Sequence, residues 1–132
     1  MIARLYFVLL LAAAPAYAQE RQWFLDSTED DAYLIFGVPD SDDVGISFWC
    51  TLQSGEIRLF IPETDAALKA EQTPDYTIEA GAEKFTLTGR TMANEDAGST
   101  SVETALPGNA PLFAALQKAD RFTVRAGASK II

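Results

Sequence analysis

Between Arg21 and Arg58 the chain has no basic residue, while Asp26, Glu29, Asp30, Asp31, Asp40, Asp42 and Asp43 all fall inside that window. Clustered carboxylates can hold a hard cation, work in pairs on glycosidic bonds, or attract a basic partner. The spacing here matches no calcium loop, since it lacks the glycine and closing glutamate of an EF-hand. Carboxylates are so widely spread that no one pair stands out as acid and base. The expectation for Asp40, Asp42 and Asp43 is therefore a solvated acidic loop without a metal. Trp49 follows closely in sequence. An exposed tryptophan beside carboxylates suits a basic protein or a carbohydrate; the other reading packs Trp49 against a second sheet or a helix. Asp40, Asp42, Asp43 and Trp49 are the candidate binding residues.

Other chemistry is short of parts. There is no histidine, so neither a serine nor the one cysteine, Cys50, has an imidazole base. Zinc and copper sites draw on several His or Cys ligands, and this chain offers a single cysteine. The eight glycines are scattered singly, without a phosphate-cradling loop. Lys69, Lys84, Lys118 and Lys130 lie in polar contexts. No catalytic residue and no cofactor is expected; an enzyme using carboxylates alone is the remaining catalytic alternative.

The elements that must position these residues are mostly strands. Ala32, Leu34 and Phe36 alternate with Tyr33, Ile35 and Gly37. Val44, Ile46, Phe48, Cys50 and Leu52 alternate with Gly45, Ser47, Trp49 and Thr51. Strand side chains alternate faces with period two, so Cys50 is expected buried and inert on the apolar face, with Trp49 on the opposite one. Gln53-Ser54-Gly55 closes a hairpin onto Ile57, Leu59 and Ile61. Residues 63–75 read as a loop with at most one helical turn, and Tyr76–Ile78 as a strand. The 84–92 and 101–106 stretches read as a second hairpin, with the turn-rich 94–100 at its tip. A short helix follows Pro107-Gly108, capped by Asn109 or Ala110, with Leu112, Phe113 and Leu116 on one face. Phe122–Val124 is a strand, and 129–132 a partial one. The fold class expected is mostly β, a compact antiparallel β-sandwich or barrel with one short helix in the C-terminal half.

The first eighteen residues have a different job. Arg4 gives a positive start, Leu5–Ala14 an apolar run, and Ala16-Tyr17-Ala18 a small-x-small cleavage site. That order predicts a signal peptide over 1–18, cut after Ala18, and a single β-rich domain over 19–132 that is periplasmic or secreted. Pro15 interrupts the run before the ~20 apolar residues of a membrane anchor. The formal net charge of −9 becomes about −10 once Arg4 is removed, which disfavours nucleic acid and anionic lipid headgroups.

The segment ISFWCTLQSGEIRLFIPE (46–63) resembles a motif in short exported alphaproteobacterial proteins of unknown function, and PLFAALQKADRFTV (111–124) is similar to the helix-then-strand element they carry. Such proteins often have a second, later cysteine, which is missing here and leaves Cys50 unpaired. A weaker resemblance is to periplasmic inhibitors of c-type lysozyme, which place a cysteine before a glycine-containing hairpin. Their Ser-Gly-x-x-Tyr loop is not matched, because Ser54-Gly55 leads into Glu56-Ile57-Arg58. The functional expectation is a non-enzymatic periplasmic binding module that meets a basic envelope protein through its acidic and aromatic surface. The alternative is a structural accessory docking by strand addition at Ile131-Ile132.

Overall fold

The computed structural model describes residues 19–62, 64, 68–95, 98–126 and 129–130. Among the described residues ten strands and one helix follow in order: β1 (Gln22–Ser27), β2 (Asp31–Gly37), β3 (Val44–Thr51), β4 (Glu56–Ile61), β5 (Asp75–Ala80), β6 (Glu83–Thr88), β7 (Arg90–Asn94), β8 (Ser99–Pro107), α1 (Pro111–Lys118), β9 (Phe122–Ala126) and β10 (Ser129–Lys130). They form a six-stranded sheet, β1-β2-β3-β4-β8-β7, and a four-stranded sheet, β10-β9-β5-β6, both antiparallel. Neither closes on itself among the described residues, so the architecture is sandwich-like rather than a barrel. The expected signal peptide, the Ile131-Ile132 end and residues 63 and 65–67 of the expected 63–75 loop lie outside the described residues.

Alternation decides which face is buried. Ile46 and Phe48 of β3, Leu59 and Ile61 of β4 and Val102 of β8 project from the larger sheet. They meet Tyr76 and Ile78 of β5, Leu87 of β6, and Val124 and Ala126 of β9, with Leu112 of α1 at the end. The hairpin between β3 and β4 forms as the sequence predicts, with Gln53 and Gly55 at φ 68° and 70°. Gly55 is open to solvent and takes this left-handed backbone without steric cost. Leu52, assigned by alternation to the apolar face, instead lies in the turn and is exposed, because β3 ends at Thr51.

The second expected hairpin is corrected. Residues 83–88 pair with β5 in the smaller sheet, and only 90–94 pair with β8 in the larger one. The chain changes sheets at Gly89, whose N–H donates to the Pro74 carbonyl (3.0 Å). An added Cβ there would meet Val102 Cγ2 at 2.3 Å and Tyr76 Cε1 at 3.1 Å. Corners where strands switch sheets need such a close approach. Beside it, the buried Tyr76 hydroxyl donates to Thr104 Oγ1 (2.8 Å) and ties the two sheets together. Every buried side-chain nitrogen or oxygen among the described residues has a partner.

The helix begins after Ala110, with Pro111 in its first turn, where the missing N–H costs nothing. Leu112 and Ala115 are buried. Phe113 and Leu116, on the same side, are only partly buried. That incomplete burial leads to the site.

Candidate functional site: an apolar cleft and an acidic aromatic face

The larger sheet is two strands wider than the smaller one, and its surplus is at the β1–β2 edge. In register, Trp23 lies opposite Phe36, Leu25 opposite Leu34, Leu34 opposite Phe48 and Ala32 opposite Cys50. Opposite residues share a face, so this set continues the core face outward. The smaller sheet covers it only in part, leaving Trp23, Leu25 and Leu34 exposed. Trp23 touches Phe122 at the start of β9, with ring centroids 5.9 Å apart, and Phe48 touches Phe113 of α1 at 6.4 Å. Between them opens a cleft of about 680 Å³, floored by β1–β3 and walled by α1 and the residues leading into β9.

Its lining is mostly apolar. Trp23, Phe36, Phe48, Phe113 and Phe122 supply rings, and Leu25, Leu34, Ile57 and Leu116 fill between them. Trp23, Leu25 and Leu34 remain 43%, 72% and 42% exposed, three of the four large hydrophobic side chains left so open among the described residues. Fully burying a leucine is worth about 1.5–3 kcal/mol, so the free protein leaves a good part of that gain unrealised at each. Its polar side chains are Gln117, Asp120 and Arg121, grouped where α1 ends and the chain leads into β9. Arg121 is exposed and takes no part in the ion pairs found among the described residues.

Cys50 lines this cleft and is only partly buried, contrary to the burial its apolar neighbours predict. Its facing was read correctly, but the face is uncovered at that point. Its thiol has one long contact, to the Thr51 carbonyl at 3.9 Å. The native protein is therefore expected to react with a small maleimide without denaturant, and to be protected when the cleft is filled. A thiol that labels only after unfolding would contradict this placement.

The sequence-predicted residues lie on the other face of the same sheet. Trp49 is half buried, packed by Tyr33 (5.9 Å) and Phe60 (5.3 Å), and its indole N–H donates to Ser47 Oγ (2.8 Å). Both of these rings belong to the same sheet as Trp49. Asp42 shares a shallow depression with Trp49, along with Asp26, Tyr33, Ile35 and Pro62. Partial desolvation, then the charge and hydrogen bonding of Asp31 and the charge of Asp26, push the Tyr33 hydroxyl above its ordinary range. Asp43 is drawn away into an ion pair, with Arg21 Nε donating to its Oδ1 (2.7 Å). Its carbonyl accepts from Val38 N (2.8 Å) and closes the turn. Asp40 is exposed in that turn at φ 58° and joins neither group. The structure thus brings Asp42 to Trp49 and separates Asp40 and Asp43 from it. β1 also takes Leu25–Ser27, so the first acidic turn is confined to Thr28–Asp30.

Among the described residues no three His, Cys, Asp or Glu side chains converge as a metal site, and no helix is long and apolar enough to cross a membrane. The sequence reading missed the cleft. Its signal was the alternation of Trp23 and Leu25 with Phe24 and Asp26, which marks an apolar strand face with no partner assigned to it. No protein-family model, curated protein or solved structure matches the chain.

Proposed function

We propose that this chain is a non-enzymatic binding protein of the periplasm, and that its cleft takes up the single acyl chain of a carboxylate-headed amphiphile. One observation carries the reading. The exposed apolar side chains Trp23, Leu25 and Leu34 line a concave surface, and its volume of about 680 Å³ falls within the roughly 300–1,000 Å³ of small-molecule sites. A flexible acyl chain follows a groove between a sheet and a helix. The carboxylate then reaches Arg121, whose guanidinium joins no ion pair among the described residues and is shaped to hold it in two parallel hydrogen bonds. The leader-like residues 1–18 support the compartment.

A fatty acid such as dodecanoate should stabilise the protein by mass action, about 2.7 kcal/mol at a hundred times its dissociation constant. For a domain of this size that is a rise in Tm on the order of 10 °C. Butyrate, with the same head and little chain, should do nothing. Leu34→Gln should weaken the response through the cleft floor, and Arg121→Gln through the rim. An equal response in all three proteins would place binding elsewhere.

The second reading is docking of a basic envelope protein on the opposite face. Asp42 and Asp26 flanking Trp49 favour it. Such binding would fall steeply with salt, because steering by exposed charges is screened over about 10 Å at 0.1 M, whereas acyl-chain uptake would not.

A further inference from the structure

Exposed strand edges are templates for further pairing, and proteins blunt them with short strands, charges, prolines or covering loops. Three edges here are blunted. Beyond β7 lies the 69–72 segment: Glu71 N donates to Thr91 O (3.0 Å), Thr91 N to Gln72 O (2.9 Å) and Thr91 Oγ1 to Lys69 O (2.7 Å). β6 carries Glu83 and Lys84 among threonines, and β10 is two residues long among the described residues. β1 is different. It is six residues long, reads QWFLDS with neither lysine nor proline, and leaves Leu25 72% exposed. Among the described residues no backbone group other than those of β2 bonds to the backbone of Gln22–Asp26.

We infer that β1 pairs antiparallel with β1 of a second copy of this chain, about a two-fold axis at Phe24, joining two six-stranded sheets into one. A two-fold axis on a residue keeps each side chain opposite one of the same face, which strand pairing requires. With the axis at Phe24, Trp23 meets Leu25 of the partner and Leu25 meets Trp23, on the cleft side. Phe24 meets Phe24 on the outer side, and Asp26 meets the uncharged Gln22. Apolar groups thus oppose apolar ones, and no like charges face each other. The two Asp26 side chains are about 14 Å apart, from four residues at ~3.4 Å rise and one strand spacing, beyond the screening length of about 10 Å at 0.1 M salt. An axis one residue further on, at Leu25, would set Phe24 against Asp26.

Five paired residues on each strand, Gln22–Asp26, make a small interface, below the roughly 1,200 Å² of stable complexes, so the dimer forms at micromolar or higher concentrations. Because each chain carries a formal net charge of −9, added salt strengthens it. This is the reverse of docking by the acidic face.

Sedimentation velocity from about 1 to about 500 µM protein should show a monomer passing to a dimer, at lower concentration in higher salt. Phe24→Lys places two lysines against each other on the axis and should raise the dissociation constant by about tenfold or more. Phe24 does not line the cleft, so fatty-acid uptake by this variant should be unchanged. That separates failure of the dimer from failure of the cleft reading. In a Cys50→Ser background, Phe24→Cys should crosslink on mild oxidation much faster than Asp26→Cys, because only a residue on the axis meets itself. A chain monomeric at every concentration overturns the inference and leaves β1 to an extended peptide of another protein. A dimer indifferent to Phe24→Lys, or equal crosslinking of the two cysteine variants, assigns the interface to another surface.

Discussion

Gly89→Ala is expected to lower the unfolding free energy by about 2–3 kcal/mol, the upper part of the range for overpacking a filled core. The new methyl group would sit 2.3 Å from Val102 Cγ2, which is itself 1% exposed and has nowhere to retreat. Tyr76 and Thr104 close the other sides at 3.1 and 3.2 Å, so relief must come from moving the sheets apart. Val102→Ala removes the clashing atom. The double variant should therefore be more stable than the sum of the single effects, since contacting residues couple by roughly 0.5–3 kcal/mol. Urea unfolding of the four proteins checks both statements. A Gly89→Ala loss under about 0.5 kcal/mol would mean that the chain does not pass from one sheet to the other through this contact.

The second large effect is alkaline. Burial pushes Tyr76 up to about 12 from its ordinary 10.0, against a smaller downward pull from Thr104. Between those two values the folded protein keeps a proton that the unfolded chain has lost. Stability from this source is fully present below about pH 10 and falls as pH rises towards 12. At 1.36 kcal/mol per unit the total loss is about 2–3 kcal/mol. Tyr76→Phe should cost about 1 kcal/mol at neutral pH for the lost hydrogen bond, with little further penalty because Thr104 still donates to the Thr88 carbonyl (3.3 Å). Between pH 10 and 12 the variant should then lose less stability than the unaltered protein. Equal alkaline slopes would show that the hydroxyl is not held between the sheets.

Period-two alternation made much of this fold legible. Val44–Thr51 and Glu56–Ile61 alternate cleanly and carry a glycine turn between them, so their pairing, facing and hairpin follow from local chemistry. Pro107-Gly108 followed by Pro111 marked the helix start for the same reason. The 84–92 stretch was misread because alternation states which face a strand buries, not which sheet it belongs to. Gly89 looks like any strand glycine until Val102 and Tyr76 are brought against it.

The site was legible only in part. Trp49 was placed on the correct face, and Asp42 comes beside it. Arg21, far from Asp43 in sequence, removes that carboxylate from the set by a contact only the folded chain makes. The cleft depends on the difference in width between two sheets, a property of topology. The same alternation that correctly aligned Cys50 with Phe48 gave no warning that the covering layer stops short of it.

The central claim is that the overhanging face of β1 and β2 receives an acyl chain, and the two tryptophans make it directly measurable. Trp23 lies in the cleft and Trp49 on the opposite face, so Trp49→Phe leaves Trp23 as the sole indole reporter. Titrating that variant with dodecanoate below its micelle concentration should shift Trp23 emission to shorter wavelength and saturate at one ligand per chain. Butyrate should leave the spectrum unchanged. An emission spectrum indifferent to dodecanoate in the folded variant would contradict the account.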